Sequence, residues 1–354
     1  MRYAKLETGA KYSLASSGVA DCEWSDLGLE PADLALNDPS PYGWPPLAEA
    51  IARRFDVDPA CVVIPGGGCS FANHLAMAVI LTPGDEALIE DPTYELLAST
   101  ASFLGARTVA FPRSLDRGWR LDPEDVRTRV TAATRAAIVT NLHNPTGAPA
   151  ADSDLEALGR LVPVLLVDEV YRELSFDDAP ARTAFREDGN IVVTSSLTKA
   201  YGLSGLRCGW ILAPAPLAER MRRLNDLFGV KPPHVAERIA LKAFDRLDVL
   251  RARAASLTGP NRAAYKEFLG EQPALEQTLF VHATTVFPKL RRGDGDGFVR
   301  LLKDRFETSV APGSFFGAPD HIRIGLGGDP AATRAALARL AEALEVWEGS
   351  ARSD

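Results

Sequence analysis

Lys199 is the residue of this chain whose surroundings point most directly to chemistry. It follows the apolar run Ile191, Val192 and Val193, and Arg207 lies eight positions after it. A lysine at the end of a buried strand is poorly solvated, so we expect its pKa to fall and its amine to act as a nucleophile. The arginine can hold an anion near the same point. Together they predict a site for a ligand that carries both an aldehyde and a phosphate.

The composition is that of an ordinary globular protein large enough for one large and one smaller domain. Of the 354 residues, 46 % are hydrophobic and 24 % are charged, and the formal net charge is −8. No basic run stands out, which argues against nucleic acid or an anionic membrane as a partner. The four cysteines have neither paired nor zinc-type spacing, so we expect free thiols and no metal site. Without a signal-peptide core or a membrane span, the sequence predicts a cytoplasmic protein.

Short apolar runs alternate with amphipathic stretches through the middle of the chain. This pattern predicts an α/β fold with a mostly parallel, seven-stranded sheet sandwiched by helices. The predicted strands are 61–64, 86–90, 107–111, 135–140, 164–168, 191–194 and 209–212. The predicted helices between them are 71–81, 94–104, 122–130 and 152–161.

A second pattern begins after about Pro214, where helical periodicity dominates to about Leu269 and predicts a long connecting helix. The remainder mixes short strands with helices. The predicted strands are 285–287 and 321–324, and the predicted helices are 297–305 and 331–346. We therefore predict a large domain at 36–250 and a smaller α+β domain formed by 1–35 and 251–354.

Polar or glycine-rich segments come directly after the predicted strands, where ligands bind in sheets of this kind. The glycines of residues 65–70 open a helix and can present backbone N–H groups to a phosphate. Tyr94 can stack on a flat ring, and an Asn-Pro turn lies at Asn144. Asp168 ends an apolar strand, where a carboxylate is costly unless it is paired. Each feature alone also has a structural explanation: a turn, a half-buried tyrosine, a loop, or an aspartate paired with an arginine or a helix cap.

In this order the segments resemble the class I/II aminotransferases, the aspartate-aminotransferase-like family of fold-type I pyridoxal-phosphate enzymes. Three motifs carry the resemblance: Asn-Pro-Thr-Gly at 144–147, Asp-x-x-Tyr at 168–171, and Ser-x-x-Lys-x7-Arg at 196–207. The resemblance extends from about Leu47 to Gly327. It implies pyridoxal 5'-phosphate (PLP) as the cofactor and a homodimer in which the active sites are shared between subunits.

The resemblance assigns catalytic roles to residues at the strand ends. Lys199 forms the Schiff base with PLP and then moves the substrate's proton as a base. Asp168 faces the pyridine nitrogen and keeps it protonated. Tyr171 and Asn144 hydrogen-bond the 3-oxygen of the ring, and Tyr94 stacks on the ring face.

The same resemblance implies a phosphate site. Arg207 and the Ser196 hydroxyl would bind the phosphate together with the backbone around Gly67, Gly68 and Cys69. Many family members have serine or threonine in this loop. We therefore expect backbone amides to contribute more of the binding in this chain.

For the substrate, the resemblance implies that Arg323 binds the α-carboxylate bidentately. Asn144 and a backbone amide near Gly18 are expected beside it. Tyr42 lies where the family has a loop that reaches the neighbouring subunit, and it would donate to the partner's phosphate. His143 either lines the substrate cavity or is a structural or solvent-exposed histidine.

The predicted function is the PLP-dependent transfer of an amino group between an L-amino acid and a 2-oxo acid. A lyase, a cyclase or an amino-acid oxidase on the same fold stays open, because the pocket determines which reaction a PLP enzyme carries out. A PLP-binding regulator is a third possibility, although such proteins usually carry a basic DNA-binding domain. Family members that act on dicarboxylates often have a second arginine for the side-chain carboxylate. The sequence does not identify such a residue among the basic candidates Arg113, Arg117, Lys231 and Arg262. An aspartate aminotransferase is therefore not predicted.

Overall fold

The computed structural model describes residues 9–37, 40–174 and 182–350. The strands in chain order are β1 (Tyr12–Ser13), β2 (Val62–Val63), β3 (Glu86–Asp91), β4 (Arg107–Pro112), β5 (Thr134–Thr140), β6 (Val164–Asp168), β7 (Ile191–Ser196), β8 (Gly209–Leu212), β9 (Leu275–Glu276), β10 (Thr285–Val286), β11 (Lys289–Leu290), β12 (Thr308–Ser309), β13 (Ala311–Pro312) and β14 (Ile322–Gly325). The α-helices are α1 (Trp24–Leu27), α2 (Pro45–Phe55), α3 (Gly68–Ile80), α4 (Glu95–Phe103), α5 (Pro123–Arg127), α6 (Asp152–Gly159), α7 (Ala215–Asn225), α8 (His234–Phe244), α9 (Leu247–Gly270), α10 (Gly295–Phe306) and α11 (Pro330–Ser350).

A seven-stranded sheet forms the centre of the larger part of the molecule. Its strand order is β2-β8-β7-β6-β5-β3-β4, and β8 runs antiparallel to both of its neighbours. The pairs β3–β4, β3–β5, β5–β6 and β6–β7 are all parallel. The predicted mostly parallel, seven-stranded sheet is therefore confirmed.

Both faces of this sheet are buried, because successive side chains of a strand point to opposite sides. In β6, Leu165 and Val167 belong to one apolar core, whereas Leu166 belongs to the core on the other face. Helices α2, α6 and α8 cover the first face, and helices α3, α4 and α7 cover the second. This arrangement brings the carboxyl ends of β5, β6 and β7 to one edge of the sheet.

Helix α3 begins at Gly68, three residues before the predicted start at residue 71. Gly66 and Gly67 adopt positive φ angles of 72° and 68°, which glycine adopts without steric cost, so the chain turns tightly and the helix starts early. The N-terminus of α3 therefore lies within the predicted phosphate loop. Helix α5 is shorter than predicted and begins after Asp122, whose carboxylate accepts a hydrogen bond from the Glu124 backbone N–H at 3.0 Å.

A third apolar core joins the two ends of the chain. Strands β10, β14 and β13 form an antiparallel sheet in that order, and β1 pairs in parallel with β12. Helices α10 and α11 pack against these strands. Helix α9 connects the parts, because Leu250 packs in the core of the large sheet and Tyr265 packs in this third core.

The predicted domain limits remain a proposal. Val19, Leu27 and Leu29 pack in the core of the large sheet, whereas Leu14 packs in the third core. None of the helices in the described ranges is both long and apolar enough to cross a bilayer. All four cysteines are free thiols.

Candidate active site

A cavity of about 420 Å³ lies at the carboxyl ends of the parallel strands. Thr140 at the end of β5, Asp168 at the end of β6 and Ser196 at the end of β7 contribute to its wall. Nine residues predicted from the sequence line it: Cys69, Tyr94, Asn144, Asp168, Tyr171, Ser196, Lys199, Arg207 and Arg323. Their positions span most of the chain, so the fold brings the predicted residues together.

Lys199 lies just beyond β7 and has a lowered pKa. Burial is the largest cause, and the neighbouring guanidinium groups of Arg323 and Arg207 add to it, which brings the pKa to about 8. The Lys199 carbonyl accepts a hydrogen bond from the Val19 backbone N–H at 3.0 Å. The amine therefore loses its proton near neutral pH, as a nucleophile or a base requires.

Asp168 is buried, and its carboxylate accepts three hydrogen bonds. Asn73 Nδ2 donates to Oδ2 at 2.7 Å, while Cys69 Sγ and the Val170 backbone N–H donate to Oδ1 at 3.3 and 3.0 Å. Burial raises the pKa of Asp168, and these hydrogen bonds oppose the rise. Besides the predicted ring nitrogen of PLP, an arginine or a helix cap was the structural alternative for the partner of this carboxylate. The structure instead provides an amide and a thiol from α3.

Asn73 and Thr194 were missed by the sequence analysis. Thr194 Oγ1 donates to Asn73 Oδ1 at 2.5 Å, and Asn73 in turn donates to Asp168. One feature of the sequence could have indicated Asn73: it lies four positions after the predicted site residue Cys69, and residues with this spacing share a helix face. That Cys69 would face Asp168 required knowing how α3 packs on the sheet.

Arg323 on β14 reaches the cavity and joins two other segments. Its Nη1 donates to Asn144 Oδ1 at 3.1 Å, and its Nη2 donates to the Ala15 carbonyl at 2.9 Å. Its guanidinium carbon lies 5.1 Å from the centre of the Phe316 ring. Burial lowers the pKa of Arg323, and its buried Nε has no hydrogen-bond partner among the described atoms. A buried guanidinium with an unused donor suits an anionic group of a ligand.

The N-terminal segment forms the wall beside Arg323. Tyr171 Oη donates to Ser17 Oγ at 2.8 Å, and burial raises the pKa of Tyr171 to about 12. Ser13 and Ser16 also line the cavity. The structure places Gly18 behind this wall, where an added Cβ would lie 3.2 Å from Lys199 Cδ. Gly18 does not itself line the cavity, the predicted contact of its backbone amide with a substrate carboxylate stays a prediction, and the serines of this segment were not predicted.

Arg207 lies against the glycine loop at the start of α3. Its Nη2 donates to the Gly67 carbonyl at 2.8 Å, and its own carbonyl accepts from the Gly68 N–H at 2.7 Å. An added Cβ at Gly68 would lie 2.8 Å from Nη2, so only glycine leaves this space. Since Cys69 Sγ donates to Asp168, the thiol does not replace a phosphate-binding hydroxyl.

These features fit a bound PLP. The cavity holds a partly deprotonated lysine and a buried carboxylate, and at one end a guanidinium lies beside a helix N-terminus. Helix N-termini and arginine both favour phosphate groups. Tyr94, which borders the same cavity, brings an aromatic ring. Ser196 also lines the cavity, and its Oγ accepts from the Thr198 backbone N–H at 3.3 Å.

Two further candidates lie away from the cavity of this chain. Tyr42 is 37 % exposed, and its hydroxyl is hydrogen-bonded by the Arg223 guanidinium, so its contact with a partner's phosphate stays a prediction. His143 is buried between Thr146 Oγ1 at 2.7 Å and the Pro92 carbonyl at 2.8 Å. Burial places its pKa well below the ordinary value. The cavity-lining alternative for His143 is therefore wrong, and the structural one holds.

The comparison with known proteins assigns the chain to a family. It belongs to the aminotransferase class I and II family, whose model matches residues 36–340. The resemblance identified from the motifs is thus confirmed, and the chain is a PLP-dependent enzyme of fold type I.

Curated relatives include two with different reactions in their names. Capreomycidine synthase of Streptomyces vinaceus is 29 % identical over 331 residues, which cover 89 % of this chain and 85 % of the relative. Arginine–pyruvate transaminase of Pseudomonas aeruginosa is 30 % identical over 284 residues, which cover 75 % and 70 %.

Solved structures show the same fold. A PLP-dependent aminotransferase from Streptococcus suis superposes with a TM-score of 0.87 at 23 % identity, covering 97 % of this chain and 96 % of that one. The PLP-dependent cyclase OrfR also superposes with a TM-score of 0.87, at 26 % identity, covering 97 % and 95 %.

Proposed function

We propose that this protein is an aminotransferase that moves an amino group between an L-amino acid and a 2-oxo acid. The observation that carries the proposal is the convergence of Lys199, Asp168 and Arg323 on one cavity with Asn144 and Arg207. When bound, PLP supplies an aldehyde that accepts the amino group and a ring that takes up electrons from the substrate carbon.

Lys199 would hold PLP through the aldehyde carbon and would move the proton of the substrate's α-carbon. Its Nζ has a pKa of about 8, close to the pH at which a proton donor and acceptor works best in neutral solution. The hydrogen bond from the Val19 N–H holds the Lys199 backbone at the cavity, from which the side chain extends. One side chain thus serves as both nucleophile and general base.

Arg323 binds the α-carboxylate of the substrate. Its unpartnered Nε is available to a ligand, while its two terminal nitrogens hold Ala15 and Asn144 in place. Both substrates of an aminotransferase carry this carboxylate next to the reacting carbon. A single arginine can therefore orient the amino acid and the 2-oxo acid in turn.

The remaining groups orient the cofactor. Asp168 would hold a proton at the ring nitrogen, and the Tyr171 and Asn144 side chains would bind the 3-oxygen. Arg207, Ser196 and the N-terminus of α3 would bind the phosphate.

Replacement of the lysine tests this function. In Lys199→Ala, amino-group transfer from a panel of L-amino acids to pyruvate or 2-oxoglutarate should fall by about 100- to 10,000-fold, because the general base is lost. Lys266→Ala, at an exposed position of α9, should transfer at the wild-type rate and serves as the matched control. The products are quantified by mass spectrometry. Transfer at the wild-type rate in Lys199→Ala would remove the lysine from the reaction.

A cyclase or related lyase is the second candidate. It is favoured by the similarity to capreomycidine synthase and to the structure of a PLP-dependent cyclase. The same panel distinguishes the two functions. An aminotransferase consumes the amino acid only in the presence of a 2-oxo acid, whereas a cyclase or lyase turns over without one.

We also propose a homodimer with shared active sites. Phe71 and His74 on α3 lie against the partly exposed Phe228, with ring centres 6.3 and 5.8 Å apart, and Phe103 extends this surface from α4. Apolar surfaces of this kind mark interaction sites. The surface begins at Gly67, where an added Cβ would meet the Phe71 side chain, so a partner bound here would lie beside the phosphate loop.

A further inference from the structure

Three side chains from three elements form one hydrogen-bonded chain that runs from the cavity wall, where Asn73 and Asp168 lie, into the protein interior. Thr194 on β7 donates to Asn73 on α3 at 2.5 Å, and Asn73 donates to Asp168 at the end of β6 at 2.7 Å. All three residues are buried, with exposed fractions of 0 %, 4 % and 5 %. A polar chain this deep in the protein is costly unless every member is satisfied.

The donors and acceptors available determine which end of the Asn73 amide faces Asp168 and which faces Thr194. An ionised carboxylate only accepts hydrogen bonds, so the amide nitrogen of Asn73 must face Asp168. The amide oxygen then faces Thr194, whose hydroxyl can donate to it. Without the Thr194 hydroxyl, the carboxylate alone would favour this orientation of the amide, so Thr194 reinforces it from the other end.

Asp168 depends on such donors because no cation of the described residues is paired with it at contact distance, and the charge of Lys199 influences its pKa less than burial and the hydrogen bonds do. Among the described residues it forms no ion pair, and the groups that contact it are Asn73, the Cys69 thiol and the Val170 backbone N–H. A thiol is a weak donor. The Asn73 amide is therefore the strongest side-chain donor that stabilises the ionised form of this buried group.

We propose that Asn73, oriented by Thr194, is a positioning residue that keeps the Asp168 carboxylate ionised and directed at the ring nitrogen of PLP. The proposal rests on the role of Asp168 in the proposed function. Without the amide, Asp168 takes up a proton more readily and no longer holds one on the ring nitrogen. Although Asn73 also lines the cavity, the proposed effect of its amide on the cofactor runs through the hydrogen bond to Asp168.

The test compares PLP with its analogue in which a CH group replaces the ring nitrogen. Dissociation constants of both are measured by equilibrium dialysis against cofactor-free protein. The wild type should prefer PLP, because only PLP offers a nitrogen to Asp168. In Asn73→Leu this preference should fall by at least about tenfold, since a hydrogen bond to a charged group is lost, while the analogue binds as before.

Two variants of Thr194 keep the proposal testable even where Asn73→Leu does not fold. Thr194→Val, which keeps the shape but lacks the donor, should reduce the preference for PLP in the same direction. Thr194→Ser, which retains the hydroxyl, should keep the preference for PLP that the wild type shows.

The outcomes separate the proposal from the function on which it rests. A wild type that binds both ligands equally overturns the role of Asp168 and the inference with it. A wild type that prefers PLP, with the preference unchanged in Asn73→Leu and Thr194→Val, overturns only the role of Asn73. Equal weakening of both ligands in Asn73→Leu would show a purely structural role and also overturn the proposal.

Discussion

Lys199, Arg207 and Arg323 line the same cavity, and their positive charges repel one another. Burial disfavours the ammonium form of Lys199, and Arg323 and Arg207 disfavour it further. Asp168 opposes this effect but has the smaller influence. The two arginines that we propose as binding sites for the anionic ends of ligands therefore also lower the pKa of the amine.

The titration of Lys199 can be measured directly in cofactor-free protein. Acetylation by acetic anhydride at a series of pH values, read by mass spectrometry, should give Lys199 an apparent pKa of about 8. Only the neutral amine reacts, so the labelled fraction rises as the pH passes upward through that value. Exposed Lys266 in the same sample provides the internal reference.

The variant Arg323→Gln tests how much the neighbouring guanidinium contributes to the lowered pKa of Lys199. Removal of a neighbouring cation should raise the pKa of Lys199, so labelling requires a higher pH than in the wild type. A wild-type value near 10.5, the ordinary value for lysine, would contradict the burial and charge argument.

Among the elements, strands β3, β4 and β5 are joined at their carboxyl ends by one buried ion pair. Glu90 Oε2 accepts from Arg113 Nη1 at 2.9 Å, and Oε1 accepts from the Thr140 backbone N–H at 2.6 Å. Arg113 Nε donates to the Trp119 carbonyl at 2.8 Å. Both side chains are fully buried. This pair supports the end of β5, from which the chain continues to Asn144.

Arg113→Met should therefore destabilise the protein strongly. It leaves the Glu90 carboxylate buried without its cation, which costs about 3 to 5 kcal/mol. Urea unfolding of the wild type and the variant measures the difference. The double variant Glu90→Leu with Arg113→Met removes both charges and should be more stable than the single variant. A single variant within about 1 kcal/mol of the wild type would contradict this account.

Most elements could be predicted because their patterns are local. Strands β6 and β8 begin and end at the predicted residues, since apolar runs bounded by polar turns determine them. The chemistry-bearing residues after the strands were predicted for a related reason. Ligands bind at the carboxyl ends of the strands in such sheets.

Other parts could not be predicted because they depend on packing between distant segments. Asn73 belongs to the site only because α3 turns this face toward the end of β6. The cavity wall near Ser17 depends on the pairing of β1 with β12, from opposite ends of the chain. No local pattern carries that information.

At the scale of the whole molecule, an exposed apolar surface lies beside the phosphate loop of the cavity. Leu227 and Phe228 are 77 % and 54 % exposed in the segment after α7, and Val230 extends the surface. Arg223, near the end of α7, contacts Tyr42, so the loop predicted to reach the partner lies nearby. This arrangement supports the proposed homodimer.

Phe228→Asp should weaken that dimer. A charge placed in an apolar interface loses its hydration when the subunits associate, so the molar mass measured by light scattering should shift toward that of the monomer. Val249→Asp, at an exposed position of α9, introduces the same charge elsewhere and should leave the molar mass unchanged. Equal molar masses of wild type and Phe228→Asp would exclude this surface as the interface.

The hydrogen bonds of Arg323 affect the order in which the site can form while the chain is synthesised. Asp168, Lys199 and Arg207 all precede Arg323 in the chain and leave the ribosome before it does. The end of the cavity that we propose to bind the substrate carboxylate is completed only when β14 joins the segment around Ala15. Closing so long a loop is slow compared with local folding. Arg323 is thus the last of these four side chains to become available to the site during synthesis.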